Sequence, residues 1–336
     1  MNALFHRFLR LAATVLVALS ALALQSGARA ASNPGVVEIG NLKGFTQVLA
    51  LSDSHGECAH LIKLLRAAGV VDGLNNWAAG KTLFIVVGDS IDKGPNSLGI
   101  LALWRNLMPQ AAANGGRLVV LLGNHEAEFL ANPTAKKSAV FQAELVAAHL
   151  SPQSVAAGMD SQAIGDFLLS LPLAARVGKY LFCHAGWYPA NTPWKDFVRK
   201  AKTTLNARKY GDDFITGNDS ILEKKVVDGQ DEKKGTKWYD DKASVLSLED
   251  RLAALRLYGV VFGHQPKAFG FKGKLGGVDH LHIIKIDSGM APDAEDSKGE
   301  ILHFKNPGDL LKMAEPHADR LNADGARKKL DVVKVR

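Results

Sequence analysis

The sequence predicts an α/β fold in which helices cover a central sheet. Short, uninterrupted apolar runs are typical of strands buried on both faces, and the stretches between them have helical periodicity. Over the first third of the chain these segments alternate as βαβαβ, and a cluster of polar residues follows each strand. This alternation predicts parallel strands joined by right-handed crossovers.

The first elements have the clearest patterns. Residues 47–51 predict a strand, and apolar residues then repeat at helical spacing from Cys58 to Ala68, where Gly69 can end the helix. Residues 83–87 and 117–122 predict buried strands, with a helix over 98–108 between them. Beyond Ala127 the pattern predicts a mainly helical stretch over 138–171, a strand at 180–183, a helix at 248–257 and strands at 260–262, 281–286 and 301–304.

Composition divides the chain into three parts. Residues 1–30 predict a signal peptide and residues 31–311 a catalytic domain. Within that domain, residues 190–245 are rich in Lys, Asp, Gly and Asn and are interpreted as an insertion or cap over the site. Residues 312–336 are polar and basic, which predicts a peripheral helix or tail outside the core.

The amino terminus has the pattern of a secretory signal peptide. Arg7 and Arg10 precede an apolar stretch over 11–24, and Ala28-Arg29-Ala30 has the small-x-small pattern of a cleavage site. The apolar stretch is about fourteen residues long, shorter than the roughly twenty that a membrane-spanning helix needs. We therefore predict export to the periplasm, cleavage after Ala30 and no membrane span in the mature chain, in preference to an uncleaved anchor.

The net charge limits the classes of binding partner, and the cysteine content bears on whether disulfides form. The chain has 336 residues and a net charge of +7, of which the signal peptide contributes three arginines and no acid. The remaining mild basicity does not predict a nucleic-acid partner, which would need clustered Lys and Arg with a matching motif, but it suits anionic substrates. The two cysteines, Cys58 and Cys183, are predicted to be buried thiols rather than a disulfide.

Five polar clusters follow apolar runs in a fixed order. They are Asp53-Ser-His55-Gly, Gly88-Asp89-Ser-Ile-Asp92-Lys93-Gly, Gly123-Asn124-His125-Glu126, His184-Ala-Gly and Gly263-His264-Gln. In open α/β sheets ligands gather beyond the carboxyl ends of the strands, where such clusters would meet. Carboxylates, an amide and imidazoles are the ligands that hold two divalent metals around a phosphate, and the mixture favours Mn, Fe, Zn or Ni over Ca. Asp89, central in the motif order, is the candidate bridging ligand.

These clusters resemble the motifs of the calcineurin-like metallophosphoesterase superfamily, specifically of its phosphoprotein-phosphatase type, including bacterial Ser/Thr or Tyr phosphatases. The family signatures run GDxHG, GDxxDRG, GNHE, HGG or HAG, and a later GH or AH. The resemblance covers about residues 47–290, and Ile286-Asp287-Ser288-Gly289 also resembles a late DTG segment of bacterial members. It implies a central β-sandwich flanked by helices, with the later strands in a second sheet.

The resemblance also implies roles for single residues. One metal would be held by Asp53, His55 and Asp89, and the other by Asp89, Asn124, His184 and His264. His125 would be the general acid that protonates the leaving oxygen, with Asp92 orienting it, while a metal-bridging hydroxide attacks phosphorus in line. Lys93 and Asn124 would bind the substrate, and Glu126 would bond backbone amides beside the site rather than metal.

Two arginines of the family pattern are replaced. The DRG arginine is Lys93 here, and a bacterial GPLWYR segment corresponds to residues 235–240, which places Asp240 at the arginine position. Lysine keeps the charge but lacks the planar fork that grips two phosphate oxygens. Asp240 would repel phosphate unless Lys237 or Lys242 compensates.

Three functions stay open at this stage. The first is an exported phosphatase that acts on phosphomonoesters, small molecules or phosphorylated Ser, Thr or Tyr residues. The second is hydrolysis of dinucleoside polyphosphates or cyclic nucleotides, which stacking by Trp187, Tyr188 or Trp238 would favour. The third is a noncatalytic phosphate- or metal-binding protein, although a binder has no need of an acid such as His125.

The export hypothesis can be tested directly. Protein expressed from the full chain and recovered from the periplasmic fraction should begin at Ala31, because the cleavage pattern ends at Ala30. Amino-terminal sequencing measures this. Recovery of chains that all begin at Met1 would contradict it.

Overall fold

The computed structural model of the protein describes residues 32–189, 192–226, 242–278, 280–294 and 297–333. The predicted signal peptide and the segment 235–240, with Asp240, therefore lie outside the described residues. In the described part of the chain no helix has the length and apolarity needed to cross a membrane.

The described strands form two mixed sheets. In chain order they are β1 (Val36–Ile39), β2 (Gln47–Leu51), β3 (Thr82–Val86), β4 (Arg117–Val120), β5 (Ala174–Val177), β6 (Tyr180–Cys183), β7 (Gly259–Phe262), β8 (Gly276–Val278), β9 (Ile283–Lys285), β10 (Glu300–Phe304), β11 (Ala318–Asn322), β12 (Arg327–Lys329) and β13 (Val332–Val333). One sheet has the order β12-β11-β10-β2-β3-β4, and the other has the order β1-β5-β6-β7-β9-β8-β13.

Along the chain, helices connect many of the strands. The described α-helices are α1 (Cys58–Ala67), α2 (Ser97–Ala113), α3 (Asn124–Ala131), α4 (Ala139–Ala147), α5 (Pro152–Ala156), α6 (Ile164–Ser170), α7 (Trp194–Asn206), α8 (Asp213–Thr216) and α9 (Lys242–Ala254). Short 3₁₀ helices occur at Lys136–Ser138, Ala268–Gly270 and Pro307–Leu311.

The two sheets pack face to face around one of two buried apolar clusters. Val48 and Ile85 from the first sheet share this cluster with Phe182 and Ile284 from the second. Neighbouring residues on the same strands, such as Leu49, face the other cluster, which also contains the apolar faces of the helices. Strands buried on both faces explain the uninterrupted apolar runs in the sequence. The fold is the predicted sandwich of two sheets flanked by helices.

The topology brings the polar clusters to the carboxyl ends of parallel strands. Strands β2, β3 and β4 are parallel neighbours in the first sheet, and β6 and β7 are parallel neighbours in the second. Each of these five strands is followed within a few residues by one of the five sequence motifs. Both sheets therefore contribute side chains to the same site.

Most predicted elements are present with shifted ends. The helix predicted over 98–108 extends over Ser97–Ala113, and the helical stretch predicted over 138–171 consists of three short helices. Strands β1, β5 and β8 were not predicted, because each has only three or four residues and lacks a long apolar run. Cys58 and Cys183 are buried and unpaired, as predicted.

The prediction of a peripheral tail from residue 312 is wrong. Strand β11 pairs with β10 at the edge of the first sheet, and β13 pairs with β8 at the edge of the second. Leu321 and Leu330 are buried. The three residues of β12 are basic and exposed, a composition that protects edge strands from aggregation and that resembles a polar tail in sequence.

Part of the predicted cap belongs to the body of the protein. The Oδ1 atom of Asn206, the last residue of α7, accepts a hydrogen bond from the backbone N–H of Asn33 (3.0 Å), and Phe197 on the same helix is buried. Residues 227–241 lie outside the described part of the chain, so the interpretation of 190–245 as an insertion or cap stays a prediction.

A buried lysine fixes the segment that follows the last motif. The Lys285 Nζ atom donates hydrogen bonds to the backbone carbonyls of Pro266 (2.6 Å), Phe271 (2.6 Å) and Lys274 (2.9 Å). The side chain of Lys285 is fully buried. Because buried carbonyls need hydrogen-bond donors, this ammonium holds residues 266–274 against strand β9.

Replacing this lysine should destabilise the fold. Lys285→Met leaves three carbonyls without their donor and should lower the free energy of unfolding by about 3 kcal/mol. Lys274→Met is the matched control, because its ammonium pairs with Asp331 (2.9 Å) in a half-exposed position, where ion pairs contribute little. Urea denaturation of both variants measures the difference, and equal destabilisation would refute this role for Lys285.

Candidate metal and catalytic site

The structure brings all six predicted metal ligands together where the strands of both sheets end. Asp53 and His55 follow β2, Asp89 follows β3 and Asn124 begins α3 after β4. His184 and His264 follow β6 and β7 of the other sheet. Five of the six are buried and His264 is partly buried.

Asp89 lies at the centre of this group. Its Oδ2 atom is 3.3 Å from His55 Nε2 and 3.3 Å from His184 Nε2. Within the described residues, two sets of side chains could hold a metal ion, and both contain Asp89: one also has His55 and His125, and the other His184 and His264. A carboxylate flanked by two donor sets is the arrangement that two neighbouring cations would share.

Backbone carbonyls orient the two imidazoles beside Asp89. The Nδ1 atom of His55 is 3.1 Å from the Ile91 carbonyl oxygen, and the Nδ1 atom of His184 is 2.9 Å from that of Val87. With the proton on Nδ1 donated to the carbonyl, Nε2 presents its lone pair toward Asp89. This is the usual way in which a protein fixes a metal-binding histidine.

The remaining predicted ligands, Asn124, Asp53 and His264, lie close to these groups. His184 Nε2 is 3.0 Å from the Oδ1 atom of Asn124, so that the amide oxygen points into the site. Asp53 Oδ1 lies 3.8 Å from His55 Nε2, and both carboxylate oxygens of Asp53 accept a hydrogen bond from the backbone N–H of His264, at 3.1 and 3.0 Å. Each of the six predicted ligands therefore has an atom within 3.8 Å of an atom of another predicted ligand.

The predicted general acid lies beside the ligands. His125 Nδ1 is 3.1 Å from Asp92 Oδ2, and Asp92 Oδ1 accepts a hydrogen bond from the backbone N–H of Phe141 (3.1 Å). The rings of His125 and His55 meet edge to face, with centroids 4.8 Å apart. Asp92 thus holds one nitrogen of His125 and leaves Nε2 for another partner.

Glu126 organises the loop that carries Asp89. Its carboxylate accepts hydrogen bonds from the backbone N–H groups of Asp89 (3.0 Å), Ser90 (2.7 Å), Ile91 (3.2 Å) and Gly123 (2.9 Å). A side chain engaged with four amides binds the backbone rather than a metal. The structure therefore agrees with the role that the sequence predicts for Glu126.

The electrostatics of the site fit divalent cations. Burial raises the pKa of Asp53, and the nearby Asp287 carboxylate raises it further. Burial likewise raises the pKa of Asp287. Three carboxylates, counting Asp89, thus face one another in a buried space, and such a group is stabilised by positive charge.

The histidines divide into two kinds. Burial lowers the pKa values of His55 and His264 to about 3, so that both are neutral and suited to bind metal. Burial also acts to lower the pKa of His184, but the Asp89 carboxylate raises it to about 10. A cation bound at His184 would therefore take the place of a proton.

The motifs hold their backbone in a rarely occupied conformation. Six residues of the motifs that are not glycine have positive φ angles, and they are Asp53, His55, Asp89, Asp92, Lys93 and His264. Each such residue costs on the order of 1 kcal/mol, and strain of this kind is concentrated at functional sites. The glycines beside them allow close approach: a Cβ atom on Gly123 would overlap Asp89, and one on Gly263 would overlap Ser52 and Asp53.

Five of the six predicted ligands, all except His184, line a cavity of about 220 Å³, and some of the other lining residues had no predicted role. Asp287 belongs to the late strand-end segment of the resemblance, but only the structure places it beside Asp53. Lys137 and Lys225 line the cavity together with Lys93. Neither lies in a recognisable motif, so the sequence contained no signal for them. Asp240 lies outside the described residues.

Comparisons with known proteins identify the family of the chain. Residues 46–268 match the family model described as calcineurin-like phosphoesterase, which is more than half of the chain. The chain therefore belongs to the calcineurin-like phosphoesterase family.

The chain is also similar to individual proteins. It is 40% identical over 87 residues to an uncharacterised protein of Schizosaccharomyces pombe and 32% identical over 80 residues to Shewanella-like protein phosphatase 2 of Arabidopsis thaliana. These alignments cover 25% and 24% of this chain, and only 26% and 20% of the two relatives. The fold is similar to that of a cold-active protein-tyrosine phosphatase of a psychrophilic Shewanella species, with a TM-score of 0.66 and 21% identity over 89% of this chain and 82% of that one.

Metal content tests the predicted division between ligands and general acid. Asp89→Asn should lower the content of both metal ions, because both donor sets contain this carboxylate. His125→Asn should keep its metal content near that of the wild type, because the ligands predicted for that side are Asp53, His55 and Asp89; a site that used His125 as a ligand would lose metal. Elemental analysis of the two purified variants measures this, and loss of both metals from His125→Asn would contradict the assignment.

Proposed function

We propose that the protein is a dinuclear-metal-dependent phosphatase that hydrolyses phosphomonoesters, with phosphorylated side chains of proteins or peptides as the leading substrates. The observation that carries this proposal is the position of Asp89, with imidazoles from both sheets at 3.3 Å from one of its oxygens. Beside it lies His125, which is outside the predicted ligand set and is held through Nδ1 by Asp92 in a position suited to a general acid.

The chain would hold a pair of ions with Asp53, His55 and Asp89 on one side and Asp89, Asn124, His184 and His264 on the other. When bound, such ions lower the pKa of water and neutralise charge on phosphoryl oxygens. Mn, Fe, Zn and Ni are all compatible with this mixture of oxygen and nitrogen donors.

The residues of the chain then supply the proton that the leaving group needs. Burial acts to lower the pKa of His125, but the Asp89 and Asp92 carboxylates raise it overall, which favours the imidazolium form that a general acid needs. Asp92 accepts the Nδ1 proton, which directs the Nε2 proton toward the cavity. General acid catalysis of this kind contributes about 10² to 10⁴ in rate.

The similarity to proteins whose names include protein phosphatase supports this choice of substrate. The size of the cavity also limits which part of a substrate can enter it. At about 220 Å³ it has room for a phosphoryl group but not for a large leaving group, so the remainder of a substrate would lie outside.

A nucleotide substrate is the second candidate. Among the described residues that line the cavity there is no Trp, Tyr or Phe on which a base could stack. The Trp187 ring is instead covered by the Arg251 guanidinium, 4.8 Å from its centroid, and Trp238 lies outside the described residues. A noncatalytic binding protein is the third candidate, and the His125–Asp92 contact disfavours it.

The place of action is part of the same proposal. The pattern of residues 1–30 supports export of this phosphatase to the periplasm. Its substrates would then be phosphorylated small molecules or proteins of that compartment.

A substrate panel tests the activity. Metal-loaded mature protein should hydrolyse an aryl phosphate and a phosphopeptide much faster than a dinucleoside polyphosphate or a cyclic nucleotide. His125→Asn is the control, and its kcat should be lower by about 10² or more because the leaving group is no longer protonated. Binding of phosphate without hydrolysis of any ester from about pH 5 to about pH 10 would refute the proposal and favour the binding protein.

A further inference from the structure

Three lysines from separate parts of the chain line the metal cavity. Lys93 belongs to the second motif, Lys137 to the 3₁₀ helix Lys136–Ser138, and Lys225 to the segment after α8. Lys93 stands where the family pattern has an arginine, whereas Lys137 and Lys225 match no motif. All three are exposed, and they share the lining of one cavity with five of the six predicted metal ligands.

The position of Lys137 is fixed by an acidic neighbour. Its Nζ atom is 2.5 Å from Glu128 Oε2, and Glu128 lies on α3, the helix that begins with Asn124. An ammonium has three N–H donors, so contact with one carboxylate oxygen leaves donors for a ligand in the cavity. Lys93 has a looser neighbour, with its Nζ atom 3.9 Å from Asp293 Oδ1.

We infer that Lys137 and Lys225, together with Lys93, bind the phosphoryl oxygens of the substrate and take over the task of the two arginines that the family pattern leads one to expect. This inference rests on the proposed function. Three ammonium groups around one small cavity supply the positive charge of the missing guanidinium groups, but as point charges on flexible stems rather than as planar forks.

This replacement has a consequence for the class of substrate. A fork selects oxygens by geometry, whereas ammonium groups respond mainly to the total charge of the ligand. A phosphomonoester carries about −1.5 to −2 near neutral pH, and a diester has one ionisable oxygen fewer. The lysines should therefore favour monoesters over diesters while tolerating different leaving groups.

The chain offers matched controls for both new lysines. Lys136 precedes Lys137 and is exposed, and Lys224 precedes Lys225 and pairs with Asp219 (2.7 Å). Neither lines the cavity. Replacing Lys136 or Lys224 removes the same charge from almost the same place, so a long-range effect of net charge would appear equally in the control.

The primary measurement is the affinity of metal-loaded protein for inorganic phosphate, by titration calorimetry. Lys137→Met and Lys225→Met should each raise the Kd about tenfold, the usual scale for a charge-assisted hydrogen bond. Lys136→Met and Lys224→Met should leave it within about twofold, as expected of exposed charges. Equal Kd values in a lysine variant and its control would overturn the inference for that lysine.

A second variant distinguishes a direct effect of Lys137 from an indirect effect through Glu128. If Lys137→Met weakened phosphate binding only because Glu128 lost its counter-charge, then adding Glu128→Gln would restore the affinity, and the inference would be wrong. If Lys137 contacts phosphate itself, the double variant should remain about tenfold weaker than Glu128→Gln alone.

Kinetics test the substrate class. Lys137→Met should raise KM for an aryl phosphomonoester much more than it lowers kcat, and the ratio of kcat/KM for monoester to that for diester should fall. An unchanged ratio would overturn the charge argument. Failure of the proposed function can be distinguished from failure of this inference. A wild-type protein that binds phosphate but hydrolyses no ester would refute the phosphatase activity. The calorimetric comparison would still decide whether the lysines bind phosphate.

Discussion

One oxygen atom, Oδ2 of Asp89, organises the site, because imidazole nitrogens from both sheets lie at 3.3 Å from it. His55 is supplied by the parallel strands of the first sheet and His184 by the second. The proposed chemistry therefore requires both sheets, because neither sheet alone supplies both sets of metal-binding side chains. Burial of so many carboxylates in one place is unfavourable unless positive charge accompanies them, and the donor types present are those that divalent cations prefer.

The surrounding structure compensates for the strain of this arrangement. Several motif residues adopt left-handed backbone angles, which a short loop would not retain by itself. Glu126 binds three amides of the loop that carries Asp89 and the amide of Gly123, and backbone carbonyls orient the imidazoles of His55 and His184. Lys285 fixes the segment after His264 through three carbonyls. Stability is thus supplied by buried polar contacts and by the apolar core between the sheets, while the ligands keep their lone pairs directed inward.

Much of this could be predicted from the sequence, because the relevant signals are local. Buried strands with apolar runs, such as 83–87, are recognisable by themselves, and the motifs follow them directly. Short strands such as Val36–Ile39 have no such signal, since four residues do not form a long apolar run. The basic carboxyl-terminal strands resemble a tail because edge strands are polar for a physical reason. Lys137 and Lys225 could not be found, because their relevance depends on where the chain places them and not on any neighbouring residue.

The central claim is that Asp89 is shared by two metal ions. Anomalous diffraction from crystals of manganese-loaded protein tests it most directly. The account predicts two manganese peaks, about 3.5 to 4 Å apart, with Asp89 bound to both and His55 and His184 on opposite sides. A single peak, or two peaks of which only one contacts Asp89, would contradict it.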